Sequence, residues 1–135
     1  MDILVDTNVI LNMVFKRTGY EEAVQMFREI RGRDISAFIT ASTVTDLFYI
    51  IRKETHDTDN TYVIMGDIFK LVGILSVTDE DIQFAFKQKW KDFEDCVQFT
   101  TAKNNQIDYI ITVNHKDYED SSIAVVLPEE YIELL

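Results

Sequence analysis

Residues 3–8 read Ile3-Leu4-Val5-Asp6-Thr7-Asn8: three apolar residues, an acid, then two small polar ones. A continuous apolar run of this length, rather than an alternating one, is expected of a strand covered on both faces. Four later runs repeat the pattern: Ala37-Phe38-Ile39, Gly73-Ile74-Leu75-Ser76-Val77, Tyr109-Ile110-Ile111-Thr112-Val113 and Ile123-Ala124-Val125-Val126-Leu127. Between them the apolar residues recur at helical spacing. Ala23, Phe27 and Ile30 do so within Tyr20–Ile30, and Val44, Leu47, Phe48 and Ile51 within Thr43–Lys53. Val63, Ile64, Ile68 and Leu71 form a third such set, Ile82, Phe84, Ala85 and Phe86 a fourth, and Phe93–Asn104 a fifth segment. Pro128 suits the first turn of a last short helix. Strands alternating with helices predict an α/β fold, a three-layer α/β/α sandwich around a parallel sheet of about five strands.

The chain has 135 residues, one Pro and four Gly, with no repeat and no linker-like stretch. One domain spanning residues 1–135 is expected. The single cysteine, Cys96, excludes an internal disulfide and fits a reducing compartment. No apolar run is long enough to cross a bilayer, and the first residues lack a basic leader, so a cytoplasmic location is expected. Lys and Arg number 13 against 24 Asp and Glu, a formal net charge of −11. That balance opposes unspecific attraction to nucleic acid. Contact with phosphate would fall to local cations or to bound metal ions.

In open parallel sheets ligands sit beyond the carboxyl ends of the strands. The polar residues that follow the apolar runs are therefore the candidates. Asp6 ends the first run, where a turn or N-cap role is also open to it. Asp46 lies in the helix after Phe38-Ile39-Thr40. It is either the acid of a Thr43-x-x-Asp46 capping box or, with the cap at Ala41-Ser42, a residue beyond the first turn. Asp92, Glu94 and Asp95 open the segment Phe93–Asn104, with Asp92 as N-cap and Asp95 as third residue. Asn114 and Asp117 follow the fourth strand, where turn residues are favoured. Converging carboxylates about 5 Å apart repel by about 3 kcal/mol at an effective dielectric of about 20. Hard divalent cations such as Mg²⁺ or Mn²⁺ relieve that repulsion, because they prefer carboxylate oxygens and water.

Four segments, Ile3–Leu11, Ile39–Leu47, Asp92–Gln98 and Asp108–Tyr118, carry a resemblance that spans essentially the whole chain. The sequence resembles the PIN-domain family of metal-dependent nucleases, which includes the VapC-like toxins of bacterial toxin–antitoxin pairs. The resemblance implies a Mg²⁺- or Mn²⁺-dependent endoribonuclease, an RNA substrate, a small antitoxin partner and a homodimer. Asp6, Asp46, Asp95 and Asp117 fall on the family's acidic quartet, and Asn114 on a polar position beside it. Thr7, Asn8 or Thr112 would orient the acids. Asp6, Asp95 and Asp117, with Asn114, are then the expected metal ligands, while Asp46 would position the attacking water or a second metal. Asp46 stands where the family usually has Glu, one methylene longer.

Lys89 and Lys91, flanking Trp90, form the best local cationic patch for RNA, and Arg52 is a further phosphate contact. Trp90 also suits a core or interface role. His56 and His115 lack ligand partners, and Cys96 reads as a small buried residue. An Asp-based phosphotransfer domain also uses an acid after its first strand. Asp6, however, has no adjacent acid, and no Lys follows the fifth strand. A catalytically weak or inactive fold of the same kind, serving as a binding module, is the other alternative.

Overall fold

The computed structural model describes residues 1–135. Its five strands are β1 (Asp2–Val5), β2 (Ser36–Thr40), β3 (Gly73–Leu75), β4 (Tyr109–Ile111) and β5 (Ala124–Val126). They pair in the order β3-β2-β1-β4-β5, every pair parallel. Seven helices connect them: α1 (Thr7–Phe15), α2 (Tyr20–Ile30), α3 (Ala41–Thr55), α4 (Thr58–Leu71), α5 (Asp79–Gln88), α6 (Phe93–Asn104) and α7 (Pro128–Leu134). A single 3-10 turn covers His115–Tyr118.

Strand β1 is central, and alternate residues along it enter different layers. Ile3 and Val5 pack with Val9, Met26, Ile39 and Leu47, the side covered by α1 to α4 and α7. Leu4 packs with Phe99, Ala102, Ile110 and Tyr118, the side covered by α6. All three β1 residues are fully buried, a contribution of about 1.5–3 kcal/mol for each side chain. The expected three-layer α/β/α architecture with five parallel strands is the one found. No helix is long and apolar enough to cross a membrane.

Four differences from the sequence reading have local causes. Strand β3 stops at Leu75 because its neighbour β2 supplies no partner beyond Thr40, which leaves the sheet to cap α3. Strand β4 likewise stops at Ile111, opposite Val5, where β1 turns into α1. Helix α1 has no amphipathic stripe in the sequence, since Val9, Ile10 and Leu11 are consecutive and all buried. The Thr43-x-x-Asp46 capping box is overturned: the Thr40 hydroxyl accepts from Thr43 N–H at 3.2 Å, and Asp46 lies past the first turn.

Candidate active site

Asp6 leaves the sheet at the carboxyl end of β1, its N–H bonded to the Ile111 carbonyl at 2.9 Å. It occupies the N-cap position of α1 with extended backbone, yet its side chain caps nothing. Instead the carboxylate is 2% exposed and held from two sides. Gln98 Nε2 donates to Oδ1 at 3.2 Å, and Thr112 Oγ1 donates to Oδ2 at 3.1 Å. Burial raises the pKa of Asp6; the Gln98, Thr112 and Thr7 backbone donors pull it down, and the nearby Asp117 charge pushes it up again. Both donors are neutral, so the charge is hydrogen-bonded without being compensated.

The other acids arrive from three separate elements. Asp46 comes from α3, and Asp92, Glu94 and Asp95 from the start of α6. Asp117 comes from the 3-10 turn after β4. Asp92 is the N-cap, as expected: its Oδ1 accepts from Asp95 N–H at 3.0 Å. With Asp6, Thr7 and Asn8, all five line one cavity of about 360 Å³ at the carboxyl edge of the sheet. Asp6, Asp46, Asp95 and Asp117 are thus brought together. Asn114 acts on Asp117 by donating from Nδ2 to Oδ1 at 3.3 Å, while its own Oδ1 caps Lys116 N–H. Among the three candidate orienting residues, Thr112 binds Asp6, Thr7 shares a hydrogen bond with Thr43, and Asn8 is exposed on the cavity wall.

The electrostatics follow from this crowding. Partial desolvation first, then the charges of Asp6, Asp92 and Asp117, push Asp95 up to about 7. Glu94 is pushed up to about 8, first by desolvation, then by a hydrogen bond to Asp46 and the charges of Asp46, Asp92 and Asp6. The ion pairs of the molecule are Arg33–Glu29, Lys70–Asp67 and His115–Glu130, and none involves these six acids.

Would a divalent cation suit the place? The donor set is all oxygen, the choice of Mg²⁺ and Mn²⁺, and its negative charge lacks any side-chain counterion. In the present rotamers no three of the acids stand at ligand spacing. The chemistry of the set therefore fits.

A second cavity of about 560 Å³ adjoins the first and shares Asp92, Asp95 and Asp117 with it. Its remaining lining is Trp90, Lys91, Lys116, Glu119 and Asp120. Of the cations expected to meet substrate, Lys91 is here. Lys89 ends α5 in a left-handed conformation, Arg52 lies exposed in the last turn of α3, and neither lines either cavity. Trp90 stacks on Phe99 at 5.2 Å between ring centres. Cys96 is fully buried, as expected of a small apolar residue. His115 bonds Glu130 at 2.6 Å.

Gln98 and Lys116 were not singled out by sequence reasoning, and Glu94 was named beside Asp92 and Asp95 without a role. Gln98 had a usable signal: it follows Asp95 by one helical turn and is a polar residue inside the buried stretch Cys96–Ala102. Lys116 was hidden by the turn.

The family model for the PIN domain matches residues 2–116. The chain belongs to the PIN-domain family. No curated protein sequence matches it. Among solved structures, VapBC-1 from nontypeable Haemophilus influenzae superposes with a TM-score of 0.74 at 13% identity, covering 95% of this chain and 98% of that one. VapC20 from Mycobacterium tuberculosis, described as a sarcin-ricin loop cleaving toxin, gives 0.69 at 11% identity, over 87% and 94%. A toxin–antitoxin complex from Klebsiella pneumoniae gives 0.65 at 24% identity, over 93% and 97%. At these identities the likeness is one of fold.

Proposed function

We propose that this protein is a Mg²⁺- or Mn²⁺-dependent endoribonuclease that hydrolyses RNA phosphodiester bonds as the toxin of a type II toxin–antitoxin pair. One observation carries the reading. Acids from four elements distant in sequence line one cavity at the carboxyl edge of the sheet, without a counterion. The family and the toxins of the same fold support it.

Asp6 and Asp95 would hold the principal ion, and Asp117, positioned by Asn114, would complete its ligands. Bound there, such an ion would supply a water of lowered pKa and stabilisation of the departing oxygen. Gln98 and Thr112 fix the Asp6 carboxylate so that it does not reorganise between states. Asp46 would position the attacking water or a second ion. Glu94 lines the same cavity as Asp46 and brings another carboxyl group to that wall.

The test is RNA cleavage titrated with Mg²⁺ and Mn²⁺. Asp6→Asn and Asp95→Asn are expected to abolish metal-dependent cleavage, and undiminished cleavage by either would reject the assignment. The proposed partner is a small antitoxin protein, with the toxin homodimeric in the cytoplasm. Growth arrest on expression, relieved by co-expressing a small neighbouring reading frame, tests the pair, and sedimentation tests the dimer.

A further inference from the structure

The 560 Å³ cavity beside the acids is within the range of ligand sites, about 300–1,000 Å³. Two features set it apart from an acidic surface. Its only cations, Lys91 and Lys116, stand in walls shared with Asp92, Asp95 and Asp117, yet neither forms an ion pair. Each is followed in sequence by an acid of the first cavity, in Lys91-Asp92 and Lys116-Asp117. Capping contacts fix both backbones: Asp92 caps α6, and Asn114 Oδ1 accepts from Lys116 N–H at 3.2 Å. Between them Trp90, the cavity's one apolar residue, is braced by Phe99 behind it and by the edge of Tyr118 at 6.3 Å. The place thus offers two free ammonium groups and a rigid aromatic side next to the acids.

We propose that this cavity receives the nucleotide next to the scissile phosphate of a single-stranded RNA, with Lys91 and Lys116 on the flanking phosphates and Trp90 against the base. The inference rests on the nuclease reading, which puts the scissile phosphate at the acids. With a net charge of −11, phosphate contacts must be local, and a strand passing from one cavity to the other meets these two cations. An unpaired strand is required, because its bases are free to lie on an aromatic side chain.

The experiment measures fluorescence anisotropy of a short, labelled, mixed-sequence single-stranded RNA with the Asp6→Asn protein in Mg²⁺. Lys91→Ala and Lys116→Ala are each expected to weaken binding roughly five- to tenfold at low salt. Each should also lower the slope of log affinity against log salt by about 0.7, and Lys→Arg at either position should restore both. Arg28→Ala, which removes the same charge from the exposed side of α2, should alter neither. With an intact Asp6, the lysine variants should raise KM by the same factor and keep kcat. Binding within twofold of the parent for both lysine variants, or a loss of slope no larger than that of Arg28→Ala, overturns the proposal. Lysine-dependent binding by a protein that cleaves no RNA would instead remove the nuclease reading and leave the cavity as an RNA site.

Discussion

Asparagine at position 95 should make the metal-free protein more stable while destroying its activity. Asp95 titrates near 7 in the fold, against an ordinary 3.8, because of desolvation and the charges of Asp6, Asp92 and Asp117. The folded state therefore holds this proton more tightly than the unfolded chain does. The resulting stability is fully present below pH 3.8 and is lost as pH rises through about 7. A fully desolvated carboxylate displaced that far would destabilise the ionised fold by about 4 kcal/mol. Asp95 is partly exposed, so solvent screening reduces the figure to about 1–2 kcal/mol. Asp95→Asn removes the charge at every pH and keeps the shape. In EDTA at pH 8 its Tm should exceed that of the parent by about 3–8 °C for a domain of this size. At pH 4 the two should nearly coincide, since the parent's Asp95 is then protonated. Saturating Mg²⁺ should narrow the gap at pH 8, because the ion stabilises the parent by mass action. Thermal melts by circular dichroism from pH 4 to 8.5, with and without the ion, supply the measurement. An Asn variant no more stable than the parent at pH 8, or equally favoured at pH 4, would refute the claim that the acids repel one another in the empty fold.

Other substitutions probe separate parts of the same edge. Tyr118 is 2% exposed and its hydroxyl has no hydrogen-bond partner, so Tyr118→Phe should be neutral or stabilising by up to about 1 kcal/mol in urea unfolding. Gln98→Leu strips a donor from buried Asp6 and should cost about 1–2 kcal/mol of stability together with most of the cleavage activity. Asp92→Ser retains the cap of α6 and should be more stable than Asp92→Ala by about 1 kcal/mol. Glu94→Gln should flatten the pH dependence of Tm between pH 5 and about 8, because Glu94, like Asp95, titrates above its ordinary value.

The sheet was legible because every strand appears as an unbroken apolar run: β1 and β4 are buried on both faces, and the edge strands β3 and β5 keep the same apolar composition although they are exposed or half-buried. Ile3, Leu4 and Val5 are each fully buried although Leu4 faces the layer opposite Ile3 and Val5. The same total burial concealed α1: Val9-Ile10-Leu11 shows no polar face from which a helical period could be read. Strand ends were overestimated at Ser76-Val77 and Thr112-Val113 since an apolar run does not reveal where the neighbouring strand departs. Of the site, Asp6 and Asp117 each follow a strand and Asp46 lies in the helix after one, which puts them at one sheet edge by topology; Asp95 opens α6, which follows another helix, and the resemblance to the PIN domain is what joined it to them. Gln98 could not be placed so directly. It reaches Asp6 across 92 positions of sequence, a contact set by how α6 lies on the sheet.

The distribution of cations explains why that edge remains charged. Thirteen Lys and Arg residues are available, and the two that enter ion pairs do so at the surface, Arg33 with Glu29 and Lys70 with Asp67. A single Lys reaching into the acid cavity would neutralise Asp95 or Asp6 and stabilise the fold, but its ammonium would occupy the volume an ion must enter. Neutral donors are the arrangement that avoids this. Gln98 and Thr112 hold Asp6 in one orientation while leaving its negative charge available, and Asn114 does the same for Asp117. The repulsion that remains is then relieved only by something arriving from solution. On the proposed function, a divalent ion bound there would relieve the repulsion and stabilise the fold by mass action.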